Sequence, residues 1–307
     1  MLGEKSVDDP EWSRWRDSLE KTIGGHSFAS FLGVNPSESA KMAWHRYDGT
    51  RTRPPPDPFG LKAMNHGKDH ERYAQQIYKD FLLICEEYVI QPKTYLASWG
   101  TEKLLLALSP DLFLHTHHEL ATRMAEFKCP YYAHDSFARV EEFRDWWLAK
   151  YPEYGRSLYW AQVLLYTVLL APECDDFHVG VLFVNEADER MVMQFYEYRV
   201  TDEARQLVEE TLDEIARGKI GNRTKQYKQR IEDICKRSFL CSAQSQIWSL
   251  HVNGAVLEEQ SEDDPGQDAQ SIPWDECFSE LFGGPVFGVT DRGTSEQLQR
   301  KASYSTE

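Results

Sequence analysis

The sequence predicts an α/β fold, and three observations carry that reading. Short apolar runs of strand length stand at 88–99, 103–108, 112–115, 123–129, 177–185 and 191–200, separated by turn text such as Gly100 and EADER. Longer runs with helical spacing or a capping residue at the start occupy 27–47, 61–84, 133–149, 156–171 and 203–217. With 307 residues, 41% hydrophobic and 13% aromatic, the chain can bury a substantial core as one large domain or two smaller ones. We divide it into a folded domain at 1–240 and an acidic, largely disordered extension at 241–307.

The first helical stretch, 11–47, breaks at Ile23-Gly24-Gly25-His26-Ser27; Ser27 is a candidate cap for the second piece, and Gly33 ends it. Ser39 then caps AKMAWHRY, and the proline-rich 48–60 reads as a surface loop. The helical pattern of 61–84 begins near Lys68, which puts Glu71 in the first turn, where the helix dipole favours an acid. His66 and His70 are one turn apart but lack an H-E-x-x-H setting, and read as surface or groove residues. The runs at 88–99 and 103–108 form a hairpin about Gly100 that builds the sheet beneath Asp111. A second hairpin pairs 112–115 with 123–129; the spacing of His115, His117 and His118 near its turn matches no zinc pattern. Pro130 ends the strand, and Tyr131 reads as a packing residue.

An aromatic-rich helix covers 133–149. The next, 156–171, is apolar nearly all round and must be buried. It carries Gln162 and Tyr166 on one face, and a buried amide requires partners. Two outer strands at 177–185 and 191–200 follow, and then a helix at 203–217 capped by Thr201 or Asp202. Residues 217–237 hold eight Lys/Arg against Glu232 and Asp233. A solvated helix face is the usual meaning of such a run, and Lys225 and Lys228 are its candidates for contact with a phosphate backbone. Residues 241–257 are ambiguous; beyond them only IPWDECFSELFGGPVF has the character of a short docking element.

Net charge is −16, and 241–307 holds twelve acidic residues against three basic ones. Proteins that bind nucleic acid usually present a basic surface, so this balance counts against such binding except through a local positive groove. The six cysteines include no C-x-x-C pair; no zinc or iron–sulfur site is signalled, and they read as reduced core thiols of an intracellular protein, nuclear or cytoplasmic. The polar N-terminus is no signal peptide, and no apolar run has membrane-spanning length.

Chemistry concentrates at Asp111, Glu126 and Lys128, within the apolar text of 104–130. Period-2 geometry puts Glu126 and Lys128 on one face of a strand and turns Phe127 to the other. Asp111 can meet them across a hairpin or from a neighbouring strand. Two carboxylates can hold Mg²⁺, which takes oxygen ligands and retains several waters, beside a lysine able to orient or help deprotonate water. Taken alone, E-x-K is a weak pattern that equally describes an ordinary surface ion pair.

Pro110-Asp111 followed by Glu126-Phe127-Lys128 resembles the core of the PD-(D/E)XK nuclease superfamily. IGGHSFASFLGVNPSESAKMAWHRY is similar to the opening motif of the YqaJ-like viral recombinase group, which includes the lambda-type exonucleases. Gly67-Lys68-Asp69-His70-Glu71 resembles that group's G-x-x-x-E, and YWAQVLLY resembles its glutamine-bearing helix; the likeness runs over roughly 14–200. It implies a restriction-endonuclease-like core with a central mixed sheet flanked by helices. It also implies Mg²⁺-dependent digestion of double-stranded DNA from an end, usually 5′ to 3′, with Mn²⁺ as a substitute. A ring-shaped homo-oligomer and a single-strand annealing protein are the implied partners. By the same resemblance, Asp111, Glu126 and the Phe127 carbonyl bind the metal and Glu71 adds a carboxylate. Lys128 positions the nucleophile, and Gln162 orients Lys128 or the water. Ser27 and an upstream basic residue hold a phosphate; Arg16 and Lys21 are the candidates, with Arg14 also upstream. A structure-specific endonuclease of the same superfamily, a non-catalytic DNA-binding or interaction protein on a nuclease fold, and a scaffold acting through its acidic tail remain the alternatives.

Overall fold

The computed structural model describes residues 22–249, apart from 52–55, 82–88, 91–94, 101–103, 116–120, 133–136, 153–156 and 221–222. A mixed β-sheet lies at the centre with helices on both faces. In chain order its strands are β1 (Val89–Ile90), β4 (Leu112–His115), β5 (Ala121–Lys128), β6 (Asp176–Asn185), β7 (Arg190–Arg199), β8 (Phe239–Gln244) and β9 (Trp248–Ser249). Their spatial order is β1-β4-β5-β6-β7-β8, with β9 also on β7. β5 and β6 are parallel and the other pairs antiparallel. A parallel pair needs a crossover, and α4 (Val140–Lys150) with α5 (Tyr159–Leu170) supplies it. β6 is buried along nearly its whole length, which explains its almost unbroken apolar text, FHVGVLFVN.

The remaining strands, β2 (Tyr95–Trp99) and β3 (Leu104–Leu108), pair about Gly100, whose φ of 69° lies in the left-handed region. They form a separate two-stranded sheet, a correction to their expected place beneath Asp111; only the short β1 joins β4 there. The hairpin is instead tied to the N-terminal segment, since Ile23 N–H donates to the Leu105 carbonyl and Ala107 N–H to that of Ile23.

Alternation along β5 sends Met124 into one core layer and Ala125 and Phe127 into the other. The larger layer holds α1 (Gly25–Leu32), α5 and α6 (Asp202–Ala216). The smaller lies under α3 (Pro58–Phe81), where Tyr78 meets Phe127 edge-on at 5.3 Å. Gly180 faces Phe127 from β6; a Cβ there would lie 2.8 Å from that ring.

Helix boundaries follow local chemistry in most places. Gly33 closes α1 in the left-handed region (φ 74°), with Val34 N–H donating back to the Ala29 carbonyl. Ser39, Thr201 and Thr224 each cap their helices, accepting from Met42, Ala204 and Tyr227 N–H at the starts of α2 (Ala40–Tyr47), α6 and α7 (Lys225–Ser238). Two boundaries differ from expectation. Gly24, not Ser27, precedes α1, so Ser27 lies inside its first turn. α3 starts at Pro58, where Asp57 Oδ1 accepts from Gly60 N–H at 2.6 Å, an Asp-Pro start that the proline-rich text hides. Glu71 is therefore a mid-helix residue.

β8 and β9 carry the described sheet to Ser249, past residue 240. No described helix is long and apolar enough to cross a membrane.

Candidate functional site

Asp111, Glu126, Lys128 and Gln162 converge where β5 ends. Leu112 stands opposite Ala125, so the antiparallel register brings Asp111 beside Glu126. The Asp111 N–H donates to Glu126 Oε2 at 3.3 Å, and Phe127 N–H donates to Asp111 Oδ2 at 2.7 Å. On the α5 side, Glu126 Oε1 accepts from both Lys128 Nζ and Gln162 Nε2 in short contacts, and Lys128 Nζ lies 3.9 Å from Asp111 Oδ2. The Tyr166 hydroxyl accepts from Gln162 Nε2 at 3.3 Å, and the Tyr159 ring lies 5.8 Å from the Lys128 ammonium. Tyr159 is one turn before Gln162 on α5, so helical spacing alone could have marked it.

Glu71 reaches the same end from α3. Gln75 Nε2 lies 3.4 Å from Glu71 Oε1 and 3.3 Å from the Asp111 carbonyl, tying that helix to the start of β4. Glu71, Asp111, Lys128, Gly67, Lys68 and Cys129 line a cavity of about 350 Å³. Glu126 is 1% exposed, whereas the Asp111 and Lys128 side chains keep 21% and 28% of their surface, so the cluster opens to solvent at that end.

Burial and the neighbouring Asp111 push the Glu126 carboxyl up to about 8, against the attraction of Lys128. Burial raises Asp111 as well, and burial with the Asp111 charge raises Glu71. Burial works against the Lys128 ammonium, but Glu126 and Asp111 outweigh it and hold the lysine charged. Buried carboxyl groups around a single ammonium, open to a cavity, form an all-oxygen donor set in need of further positive charge. That fits a hard cation such as Mg²⁺.

The glycine pair before Ser27 has a packing role at this site. A Cβ on Gly25 would stand 2.2 Å from Gln162 Cγ and 2.7 Å from the Tyr166 hydroxyl, so only glycine lets α1 approach α5 here. The Ser27 hydroxyl accepts from Arg46 at 3.3 Å, and Arg46 is paired with Glu38 at 2.5 Å. Ser30 and Asn35 extend this polar network to His26. Arg46, missed in the sequence because it follows the glycines, is thus the described basic residue at Ser27. Arg14, Arg16 and Lys21 lie outside the described residues, as do His117 and His118.

Lys225 and Lys228 lie on α7, away from this cavity; Lys228 lines a groove with Arg223, Asn35 and Trp44. All four arginines of the basic run are matched by acids: Arg217 by Asp213, Arg223 by Glu214, Arg230 by Glu210 and Arg237 by Glu203. Lys225 and Lys228 are in none of these pairs.

His66, expected at the surface or in a groove, is buried, and with His70 and Cys129 it forms a cluster that could coordinate a divalent metal. Tyr131 packs, as expected, against His66 and Phe59. Of the remaining described cysteines, Cys174 and Cys235 are buried as expected, but Cys241 is exposed, with its Sγ at Glu197; Cys85 and Cys277 lie outside the described residues.

The family model of the YqaJ-like viral recombinase domain matches residues 11–168, slightly more than half the chain. No curated protein matches.

Proposed function

The chain belongs to the YqaJ-like viral recombinase domain family, and on that footing we propose that it is a metal-dependent DNA nuclease. The activity we assign is 5′-to-3′ exonuclease action on duplex ends in recombination or repair, carried out on a restriction-endonuclease-like core. Family membership and a cluster able to take a divalent metal support nuclease-type activity in general. The observation that carries the finer reading is the meeting of Asp111, Glu126, Lys128 and Gln162 at one strand end, facing Glu71 across one cavity.

In this reading Asp111, Glu126 and the Phe127 carbonyl hold Mg²⁺ or Mn²⁺, with Glu71 as a further carboxylate. A metal there supplies Lewis acidity to the phosphate and lowers the pKa of a bound water. The residues of the chain do the positioning. Gln162 and Lys128 both hold Glu126 Oε1, which fixes that carboxylate toward Asp111. Lys128, held charged by Glu126 and Asp111, orients the attacking water and offsets charge growing on the phosphoryl oxygens. Gln75 keeps Glu71 in reach. Ser27 and Arg46 hold a flanking phosphate once Arg46 turns from Glu38, joined by Arg16 or Lys21. A ring assembly and a single-strand annealing partner belong to the same proposal, as does an acidic extension following the nuclease domain.

The test is digestion of linear duplex DNA labelled at its 5′ or 3′ ends, with Mg²⁺ and a closed-circular control. Wild type should shorten linear DNA from one labelled end and spare circles, and Lys128→Ala and Glu126→Ala should lose at least about a hundredfold in rate. Cutting of circles would move the assignment to an endonuclease. Equal inertness of all three proteins on duplex, flapped and single-stranded DNA would overturn the catalytic reading.

A further inference from the structure

His66 and His70 are one turn apart on α3, and Cys129 follows the last residue of β5. A donor atom from each lies within 4.8 Å of the other two. Imidazole nitrogen and thiolate sulfur are the donors chosen by zinc-class ions, whereas Mg²⁺ takes oxygen. Zn–N and Zn–S bonds of about 2.0 to 2.3 Å place tetrahedral ligands roughly 3.3 to 3.8 Å apart, so these side chains need close by only about an ångström.

A second observation points the same way. His70 Nδ1 lies 2.8 Å from the backbone carbonyl of His66. A carbonyl oxygen can only accept, so Nδ1 carries the proton, and the neutral ring keeps its lone pair on Nε2. Metal-ligating histidines are oriented by this kind of outer hydrogen bond. The cluster is partly enclosed: His66 is 7% exposed and the Tyr131 ring stands 5.3 Å from it, while His70 and Cys129 are half-buried.

We infer that His66, His70 and Cys129 form a zinc-class metal site, distinct from the carboxylate centre, that pins α3 to the end of β5. Three protein donors leave a fourth position for water. The site adjoins the carboxylates through the chain: His70 precedes Glu71, and Cys129 follows Lys128. An ion there fixes the spacing between the two elements that bring those residues to the cavity. The site stands independently of the nuclease reading, because its readouts are metal content, spectra and melting temperature.

The experiment uses the full chain, stripped with chelator and reloaded with Zn²⁺ or Co²⁺. One equivalent of zinc should survive dialysis, and zinc should raise the melting temperature. The cobalt form should show a thiolate-to-metal charge-transfer band and the intense visible bands of a tetrahedral ion. Cys129→Ser should remove the charge-transfer band, and both Cys129→Ser and His70→Ala should weaken zinc retention at least tenfold. Asp111→Asn and the double variant His117→Ala/His118→Ala should keep it. The wild-type cobalt spectrum decides even if a variant fails to fold: absence of the thiolate band overturns the site. Zinc retained by folded Cys129→Ser, or lost in Asp111→Asn or the His117/His118 variant, would also overturn it by placing the ion elsewhere.

Discussion

Gly25 shows how one missing carbon can join two motifs. It brings the start of α1 against Gln162 and Tyr166, and Gln162 in turn holds Glu126. Gly25→Ala should therefore cost about 1 to 3 kcal/mol from overpacking, and should also lower nuclease activity by displacing the amide. Denaturant melts and the end-labelled assay would check both. Retained stability and activity would mean that the glycine pair has no packing role. Asp111 raises a different point. Its backbone N–H and one carboxylate oxygen are already used within the cluster, which fixes its orientation before any cation arrives.

Among the elements, α6 and α7 illustrate how little the count of ion pairs says. Arg230–Glu210 and Arg237–Glu203 are well exposed on both sides and should contribute at most about 1 kcal/mol each. Arg223, just before α7, differs. Its side chain is 7% exposed, Nε donates to the Phe31 carbonyl near the end of α1, one guanidinium arm pairs with Glu214, and its Cζ lies over the Tyr227 ring at 4.3 Å. Arg223→Ala should cost about 2 kcal/mol or more, since charge-assisted bonds are lost from a buried position. Arg230→Ala should cost well under half of that. Urea unfolding of the two variants compares them directly, and equal losses would contradict the argument. α3 shows another cause: its middle and its C-terminal part serve different neighbours, with His66, His70 and Glu71 near Cys129 and Lys128, and Tyr78 in the core.

For the whole molecule, a cation that binds only the folded state stabilises it by mass action. If Asp111 and Glu126 hold Mg²⁺, a concentration a hundredfold above Kd should add about 2.7 kcal/mol and raise the melting temperature. Asp111→Asn should lose most of that gain, and an equal shift in both proteins would remove Asp111 from the metal site. Charge acts at the same scale. With net charge −16, DNA must approach through a local positive surface, and Lys225 and Lys228 are outside the ion pairs that neutralise much of the basic run. Reversing both to Glu should weaken duplex binding and reduce the slope of log affinity against log salt by about one per lost phosphate contact. Unchanged affinity and slope would exclude this face.

Local text alone determined much of this protein. Alternation in 121–128 separates Glu126 and Lys128 from Phe127, Gly33 and Ser39 bound their helices, and the apolar circumference of α5 requires its burial. These features are legible because their causes lie within a few residues. Tertiary structure decided what depends on partners far away in the chain. It set the hairpin of β2 and β3 apart from the main sheet, and it starts α4 with an acceptor from the turn between β6 and β7, Val140 N–H donating to Asp188 Oδ2 at 2.9 Å. It chose Arg46 to stand beside Ser27, and Gly25 as the point where α1 meets Gln162. It also gathered His66, His70 and Cys129 from a helix and a strand end with no metal-binding spacing between them. Spacing encodes only contacts made along one element; a site assembled across elements exists only once the core has fixed their separation.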